Sequence, residues 1–171
     1  MGGGNATDKD MATAYKLGAL IGKEGWSLLN GGRPAGIMEA SAKGAREQGG
    51  ITIGILPGTD PSSASEYIDV PICTGMGDAR NVINVLSSDI IIACPGSGGT
   101  ISEIALALKN KRTVILLNFD VGPIFDRYVR QGLLLKAKTP EEAIILIKKI
   151  LASEDRNQMT EGRRQMTENR G

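Results

Sequence analysis

The chain has 171 residues, a length that fits one domain with a single core. Its 20 Lys and Arg residues against 19 Asp and Glu residues give a formal net charge of +1, which argues against binding to nucleic acid or to an acidic membrane surface. No apolar stretch approaches the roughly 18 residues needed to cross a bilayer, and the chain does not open on a signal-peptide pattern, so we expect a cytoplasmic protein.

The side chains available for chemistry are restricted. The sequence contains no histidine, so the commonest metal ligand and the usual general base are missing. Cys73 and Cys94 form neither a disulfide framework nor the clustered spacing of a zinc site. We therefore expect no metal site, and any catalysis would depend on carboxylates and arginines.

Short apolar runs alternate with longer amphipathic stretches along the chain, which is the pattern of βα units around a parallel sheet. The apolar runs predict strands at Trp26–Leu29, Ile51–Leu56, Ile68–Ile72, Asp89–Ala93, Thr113–Asn118 and Leu133–Lys136. The amphipathic stretches predict helices at Asp8–Glu24, Ala35–Gln48, Asp78–Ser87, Thr100–Lys109 and Pro140–Leu151. We predict one α/β ligand-binding domain over residues 1–152, a Rossmann-like, doubly wound parallel sheet with helices on both faces.

The two ends of the chain depart from this pattern. Gly2–Gly4 leads towards the first predicted helix, although a glycine turn of this kind usually follows a strand. The sequence leaves open whether a short strand precedes Gly2. Residues 153–171 are polar and repeat the tetrapeptide Gln-Met-Thr-Glu, which predicts a disordered C-terminal tail.

The first motif is the turn Pro95–Thr100, which stands between a predicted strand and a predicted helix. Glycines there permit close backbone approach, so N–H groups can point at an anion beside the positive end of the helix dipole. The alternative is a tight turn in which Ser97 or Thr100 only caps the helix. We favour phosphate binding and assign it to Gly96, Ser97, Gly98, Gly99 and Thr100.

A second glycine turn follows the strand at Trp26–Leu29. Here Gly31, Gly32 and Arg33 precede Gly36 at the start of a helix, and Arg33 offers a fork of donors suited to a phosphate or carboxylate. On local grounds alone, a plain connection with Arg33 in solvent is equally possible. Because the carboxyl ends of parallel strands share one edge, we expect both turns to lie on one rim.

A third motif, Gly77 to Asn81, leads from a strand end into a helix. Arg80 in the first turn of a helix opposes the dipole unless an anion lies nearby. Alternatively, Asp78 caps the helix and Arg80 pairs with an acidic neighbour. Glu103 either faces the same cleft or is an ordinary first-turn acid.

Together these motifs resemble the Rossmann-like superfamily shared by the "lonely guy" phosphoribohydrolases, often mislabelled lysine decarboxylases, and the molybdenum cofactor carrier proteins. In the hydrolases a glycine motif precedes paired glutamates, and an arginine-lysine pair starts the earlier helix. This chain has Ser102 and Glu103 in place of the paired acids, and Asn81 in place of the lysine. Arg80 and Glu103 match positions that those enzymes use in catalysis or substrate binding.

The carrier branch looks closer, on the stretches Asn30–Arg33, Gly54–Gly58, Thr74–Asn81 and Asn84–Ser88. This resemblance implies a homo-oligomer, dimer or tetramer, that binds the molybdenum cofactor, a phosphorylated pterin with an oxomolybdenum group. It also implies molybdoenzymes as recipients. The implied binding residues are those of the three motifs together: Gly31, Gly32, Arg33, Gly36, Gly77, Arg80, Asn81, Gly96, Ser97, Gly98, Gly99, Thr100 and Glu103.

The function that this resemblance implies is to bind, protect and carry the cofactor without turnover, so that no residue is catalytic. One alternative is a phosphoribohydrolase that cleaves the N-glycosidic bond of a nucleoside 5'-monophosphate, with Arg80 and Glu103 as its catalytic residues. A second alternative is a module that senses a nucleotide ligand.

Overall fold

Strands and helices alternate along the chain in a computed structural model that describes residues 1–153. The strands are β1 (Leu28–Asn30), β2 (Thr52–Leu56), β3 (Val70–Cys73), β4 (Ile90–Ala93), β5 (Thr113–Leu117) and β6 (Leu134–Ala137). The helices are α1 (Asp8–Lys23), α2 (Gly36–Glu47), α3 (Asn81–Leu86), α4 (Gly98–Lys109), α5 (Asp126–Arg130) and α6 (140–153). Short 3-10 helices lie at Pro61–Ser63, Gly77–Arg80 and Pro123–Phe125.

All strand pairs are parallel, and they form two half-sheets in the orders β1-β2-β3 and β4-β5-β6. Leu29 lies opposite Ile53 in the first half-sheet, and Ile92 lies opposite Ile115 in the second. The predicted Rossmann-like α/β fold is confirmed. The sheet is nevertheless divided at its centre, because β1 and β4 do not pair with each other within residues 1–153.

The segment Met1–Gly3 runs beside the carboxyl end of β4. The Met1 amino group donates to the Ile92 carbonyl oxygen at 2.6 Å, and the Cys94 N–H donates to the Met1 carbonyl oxygen at 2.9 Å. These are the two hydrogen bonds of a parallel bridge opposite Ala93. Gly3 then bonds to the Pro95 carbonyl oxygen, so the segment continues along the turn that follows β4.

A hydrophobic core lies on each face of the sheet. Alternate residues of β5 point to opposite faces, as the period of a strand requires. Ile115 and Leu117 belong to the core beneath α1, α2 and α6, whereas Val114 and Leu116 belong to the core beneath α3 and α4. Helices therefore cover both faces, and the loops that follow the strands meet at one rim.

Glycines bring the backbones of α1 and α2 into contact. A Cβ atom built on Gly18 would collide with the Ser41 carbonyl oxygen, and one on Gly44 would collide with the Tyr15 carbonyl oxygen. The close packing of this helix pair therefore requires glycine at both positions.

The predicted element boundaries differ from the structure near the rim. The helix predicted from Asp78 begins as the 3-10 turn Gly77–Arg80 before α3, and α4 begins at Gly98, ahead of the predicted Thr100. Helix α5 has no counterpart among the predicted elements. The predicted tail lies outside the described residues apart from Ser153, which is helical and is the last residue described, so the domain boundary stays a prediction.

Among residues 1–153, no helix combines the length and the apolar character that crossing a membrane would require.

We predict that Gly44→Ala destabilises the protein, although alanine is favoured over glycine inside a helix by about 0.5–1 kcal/mol. The new methyl group would collide with the Tyr15 carbonyl oxygen, so the expected net loss is about 1–3 kcal/mol of the free energy of unfolding in urea. The control is Gly99→Ala in α4, where an added Cβ meets nothing within 4 Å. Equal stability of the two variants would contradict this account of the α1 and α2 contact.

Candidate functional site

A cleft of about 460 Å³ opens at the rim where the strands end. Its outer part is lined by polar groups from several loops and helix starts, and we call this part the rim site. Its inner part continues between β1 and β4 and is lined by apolar side chains. The rim site consists of Gly2–Gly4, Gly31, Arg33, Arg80, Asn81, Asn84, Ser97, Gly99, Thr100 and Glu103.

Arg80 is the unusual side chain of the rim site, because it is charged and yet only 7% exposed. Its Nε atom has no hydrogen-bond partner, and no ion pair of the described chain includes it. Burial lowers the pKa of Arg80, Glu103 opposes this shift, and Arg33 adds to it. An arginine remains charged at neutral pH, so the rim site holds a desolvated cation without a direct partner.

Glu103 is the buried carboxylate of the site, and it too is only 7% exposed. The Asn84 Nδ2 atom donates to Glu103 Oε1 at 3.1 Å, while the Asn84 Oδ1 atom has no partner among the described residues. Glu103 belongs to α4 and Asn84 to α3, so this hydrogen bond ties the two helices together across the site. Glu103 lies in the second turn of α4 and lines the cleft, as in the first of the two alternatives that the sequence left open.

The N-terminus of α4 opens onto the same site. Ser97 is the N-cap residue, but its side chain makes no capping hydrogen bond. The first N–H groups of a helix have no partner within the helix, so those that follow Ser97 are available to a ligand. Gly98 and Gly99 are exposed, and an added Cβ at either would meet nothing within 4 Å. This end of α4 therefore combines free donors with the positive end of the helix dipole.

The turn after β1 is held in shape by Asn30. Its Nδ2 atom donates to the Met38 carbonyl oxygen at 2.9 Å, and its Oδ1 atom accepts from the Gly32 N–H at 2.8 Å. The turn places Gly31 directly against Arg80, because a Cβ on Gly31 would lie 2.7 Å from both terminal nitrogens of the guanidinium. The Arg80 guanidinium therefore packs against the Gly31 backbone, in space that the side chain of any larger residue at position 31 would occupy.

The structure brings together most of the predicted site residues. The residues that line the cleft are Gly31, Arg33, Arg80, Asn81, Ser97, Gly99, Thr100 and Glu103. Five predicted glycines do not line it: Gly32, Gly36, Gly77, Gly96 and Gly98.

Three of these five glycines have evident packing roles. A Cβ on Gly32 would lie 2.9 Å from the Gly54 Cα atom, and one on Gly36 would collide with the backbone of Gly3 and Gly4. A Cβ on Gly96 would collide with the Thr100 hydroxyl. These glycines shape the loops of the rim site.

Sequence reasoning missed three contributors to the site. Asn30 ends β1 and supports the glycine turn, Asn84 fixes Glu103, and Gly2–Gly4 forms one wall. Asn84 lies four residues after Arg80, a spacing that places both on one side of a helical segment and could have indicated it. The glycine run near Met1 is evident in the sequence, but its place beside Pro95 depends on contacts between residues far apart in the chain.

The rim site is suited to binding an anion with hydrogen-bond donors. Asp78 also lines the cleft, so Asp78 and Glu103 offset the charges of Arg33 and Arg80 and leave no broad positive field. Instead, binding depends on local geometry, with a buried guanidinium and free helix N–H groups on a single cleft.

The chain is similar to known Rossmann-like proteins. The model of the SLOG cluster4 family matches residues 1–144. The chain is similar to the molybdenum cofactor binding protein of the phototrophic bacterium Rippkaea orientalis, with 49% identity and a TM-score of 0.81 over 86% of this chain and 91% of that one. It is also similar to the molybdenum cofactor carrier protein of Chlamydomonas reinhardtii, with 42% identity and a TM-score of 0.81 over 89% and 94% of the two chains.

The chain is also similar to an enzyme, at lower identity and over a shorter stretch. The cytokinin riboside 5'-monophosphate phosphoribohydrolase of Mycobacterium tuberculosis is 36% identical over 93 residues, which are 53% of this chain and 50% of that protein. These similarities confirm that the motifs resemble the superfamily and its carrier branch.

We predict that Gly31→Ala weakens anion binding at the rim site, because the new methyl group displaces the Arg80 guanidinium. Loss of a charge-assisted hydrogen bond costs about 1.5–3 kcal/mol, which corresponds to at least roughly a tenfold weaker affinity for inorganic phosphate in calorimetric titration. Gly58→Ala is the matched control, since an added Cβ there meets nothing within 4 Å. Unchanged phosphate affinity in Gly31→Ala would show that Arg80 does not contact the anion.

Proposed function

We propose that this chain, which belongs to the SLOG cluster4 family, binds the molybdenum cofactor and carries it without turnover. In its rim site, a buried arginine without a partner lies beside an open helix N-terminus. The single observation on which this proposal depends is the unpaired Nε atom of Arg80 in a cleft that the uncapped N-terminus of α4 also lines. The similarity to proteins described as binding or carrying that cofactor supports the choice of cargo.

The residues of the rim site fit the chemistry of this cargo. Its phosphate needs several hydrogen-bond donors, which the N-terminus of α4 supplies together with the hydroxyls of Ser97 and Thr100. Arg80 supplies a charged donor from the opposite wall, and the exposed Arg33 supplies a second. The buried Glu103 is an acceptor suited to the N–H groups of a pterin ring.

The way in which the acidic groups are held supports the proposed absence of turnover. Glu103 already accepts a hydrogen bond from Asn84, and the neighbouring Ser102 is exposed and donates to the Gly99 carbonyl oxygen. One carboxylate positioned in this way is suited to holding a ligand. It lacks the adjacent second acid that the related hydrolase motif provides.

The proposal extends to the state of the protein in the cell. Edge strand β3 is exposed along its whole length and carries Val70 and Ile72, while Leu86 is exposed at the end of α3. Apolar side chains in these places favour contact between copies of the chain. We propose a cytoplasmic homo-oligomer that delivers its cargo to molybdoenzymes.

The test is retention of the cofactor by protein purified from a cell that makes it. Molybdenum is measured by mass spectrometry, and the phosphorylated pterin is measured as its fluorescent oxidised derivative. We expect both to co-purify with the unchanged protein and to fall at least roughly tenfold in Arg80→Gln, because a charge-assisted hydrogen bond worth about 1.5–3 kcal/mol is lost.

Arg127→Gln is the matched control for this experiment. Arg127 is an exposed arginine on α5, lies over the Tyr128 ring at 4.8 Å, and does not line the cleft. Protein that carries neither molybdenum nor pterin would refute the proposal. Binding of a nucleoside monophosphate in their place would favour the sensing module.

The second candidate function is phosphoribohydrolase activity, which the burial of Glu103 near Arg80 and the similarity to the mycobacterial enzyme favour. In that case Arg80 would bind the phosphate or ribose, and Glu103 would stabilise the cationic sugar or orient water. As a carrier, the protein is expected to release no adenine from adenosine 5'-monophosphate in a chromatographic assay. Adenine release that Glu103→Gln abolishes would overturn the carrier proposal, and Glu66→Gln on the exposed surface is its control.

A further inference from the structure

Asn84 is an uncharged side chain that accompanies the two buried charges of the rim site. Like Arg80 and Glu103, it is no more than 8% exposed and lines the cleft. Its Nδ2 atom donates to Glu103 Oε1 at 3.1 Å. It also follows Arg80 by four residues, and side chains at this spacing in a helical segment are neighbours. One amide is therefore adjacent to both charges.

Arg80 and Glu103 attract each other without forming an ion pair. Among the charged neighbours of Arg80, Glu103 has the largest effect on its pKa, which it raises against the lowering effect of burial. Yet no ion pair among residues 1–153 joins the two groups. Opposite charges attract more strongly in a buried site than in water, so a direct pair is expected wherever the two can approach. Their separation therefore requires a group that keeps them apart.

The orientation of the Asn84 amide suits it to this separation. An ionised carboxylate only accepts hydrogen bonds, so the end of the amide that bonds to Glu103 is its NH2 group. The Oδ1 atom lies at the other end of the amide and is buried without a partner among the described residues, as is the Arg80 Nε atom. These two atoms are an acceptor and a donor that belong to side chains one helical turn apart. The amide can therefore face the carboxylate with its positive end and the guanidinium with its negative end.

A direct ion pair would close the rim site to ligands. A guanidinium and a carboxylate pair through two parallel hydrogen bonds, which would occupy donors of Arg80 and both oxygens of Glu103. An incoming anion would then have to displace Glu103 from Arg80 before it could bind. With the two charges held apart, the same anion meets a guanidinium that has no competing partner.

We propose that Asn84 is a positioning residue, a spacer whose amide prevents a direct ion pair between Arg80 and Glu103. It thereby keeps the guanidinium open to an anion and the second oxygen of Glu103 open to a hydrogen-bond donor. The class of ligand that such a site selects carries both groups, an anion and an N–H or O–H donor. This inference rests on the proposed function only in taking the rim site as the place where the ligand binds.

The first test measures the binding of inorganic phosphate by calorimetry to the full chain with Asn84→Ala. We expect the affinity to fall at least roughly tenfold, because Glu103 then competes with phosphate for Arg80. Asn110→Ala is the matched control, since its Nδ2 atom also donates one hydrogen bond, to the Leu106 carbonyl oxygen, and Asn110 does not line the cleft. Unchanged phosphate affinity in Asn84→Ala would overturn the proposal.

A second substitution distinguishes a spacer from a residue that only supports the local fold. Glu103→Gln removes the competing charge, so it should raise the phosphate affinity of the Asn84→Ala protein at least roughly tenfold more than it raises that of the unchanged protein. The comparison with the unchanged protein subtracts the general gain from removing a negative charge near an anion. An equal effect of Glu103→Gln in the two proteins would show that Asn84 has a merely structural role.

A crystal structure of the Asn84→Ala protein without ligand tests the same point independently of phosphate. We expect the Arg80 guanidinium to lie within about 4 Å of the Glu103 carboxylate, which is the distance of an ion pair. A structure in which the two groups stay apart would contradict the spacer role. None of these measurements uses the molybdenum cofactor, so their failure would leave the proposed cargo untouched. Conversely, protein purified without molybdenum and pterin would refute the cargo and leave the spacer in place.

Discussion

Two hydrogen bonds of Gly3 hold the rim of the molecule together. Its N–H donates to the Pro95 carbonyl oxygen at 3.1 Å, and its carbonyl oxygen accepts from the Ile37 N–H at 3.2 Å. One residue thus links the turn after β4 to the start of α2, across the division of the sheet. The approach is so close that a Cβ on Gly96 would lie 3.0 Å from the Gly3 nitrogen, and one on Gly36 would lie 2.5 Å from its carbonyl oxygen. The glycines of the motifs are therefore required by packing as well as by any ligand.

The rim site is assembled from elements that meet only through this arrangement. Arg80 comes from the 3-10 turn before α3, and Gly31 comes from the turn after β1. Glu103 comes from α4 and is held by Asn84 of α3. Because Asn84 holds Glu103 and Arg80 packs against Gly31, these two charged groups are positioned before any ligand binds, which lowers the entropy cost of binding.

Local patterns in the sequence predicted much of this. The apolar runs predicted β5 within one residue, and the turn that begins at Pro95 follows β4 and leads into α4 as predicted. The features that local patterns did not predict depend on contacts between residues far apart in the chain. Glycine disfavours helix, so the start of α4 at Gly98 is set by its surroundings. The burial of Arg80 likewise results from the approach of Gly31, a residue 49 positions earlier in the sequence.

The burial of Arg80 also bears on how the proposed cargo would be released. Only 7% of the residue is exposed and its Nε atom has no partner, so the charge of the guanidinium is poorly compensated in the empty cleft. An anion that binds there would offset part of this electrostatic cost. If the cleft carries the proposed cargo, transfer to a recipient would be favoured as an exchange of partners at the exposed Ser97 to Gly99 edge, where an incoming protein could compete for the anion while Arg80 still contacts it.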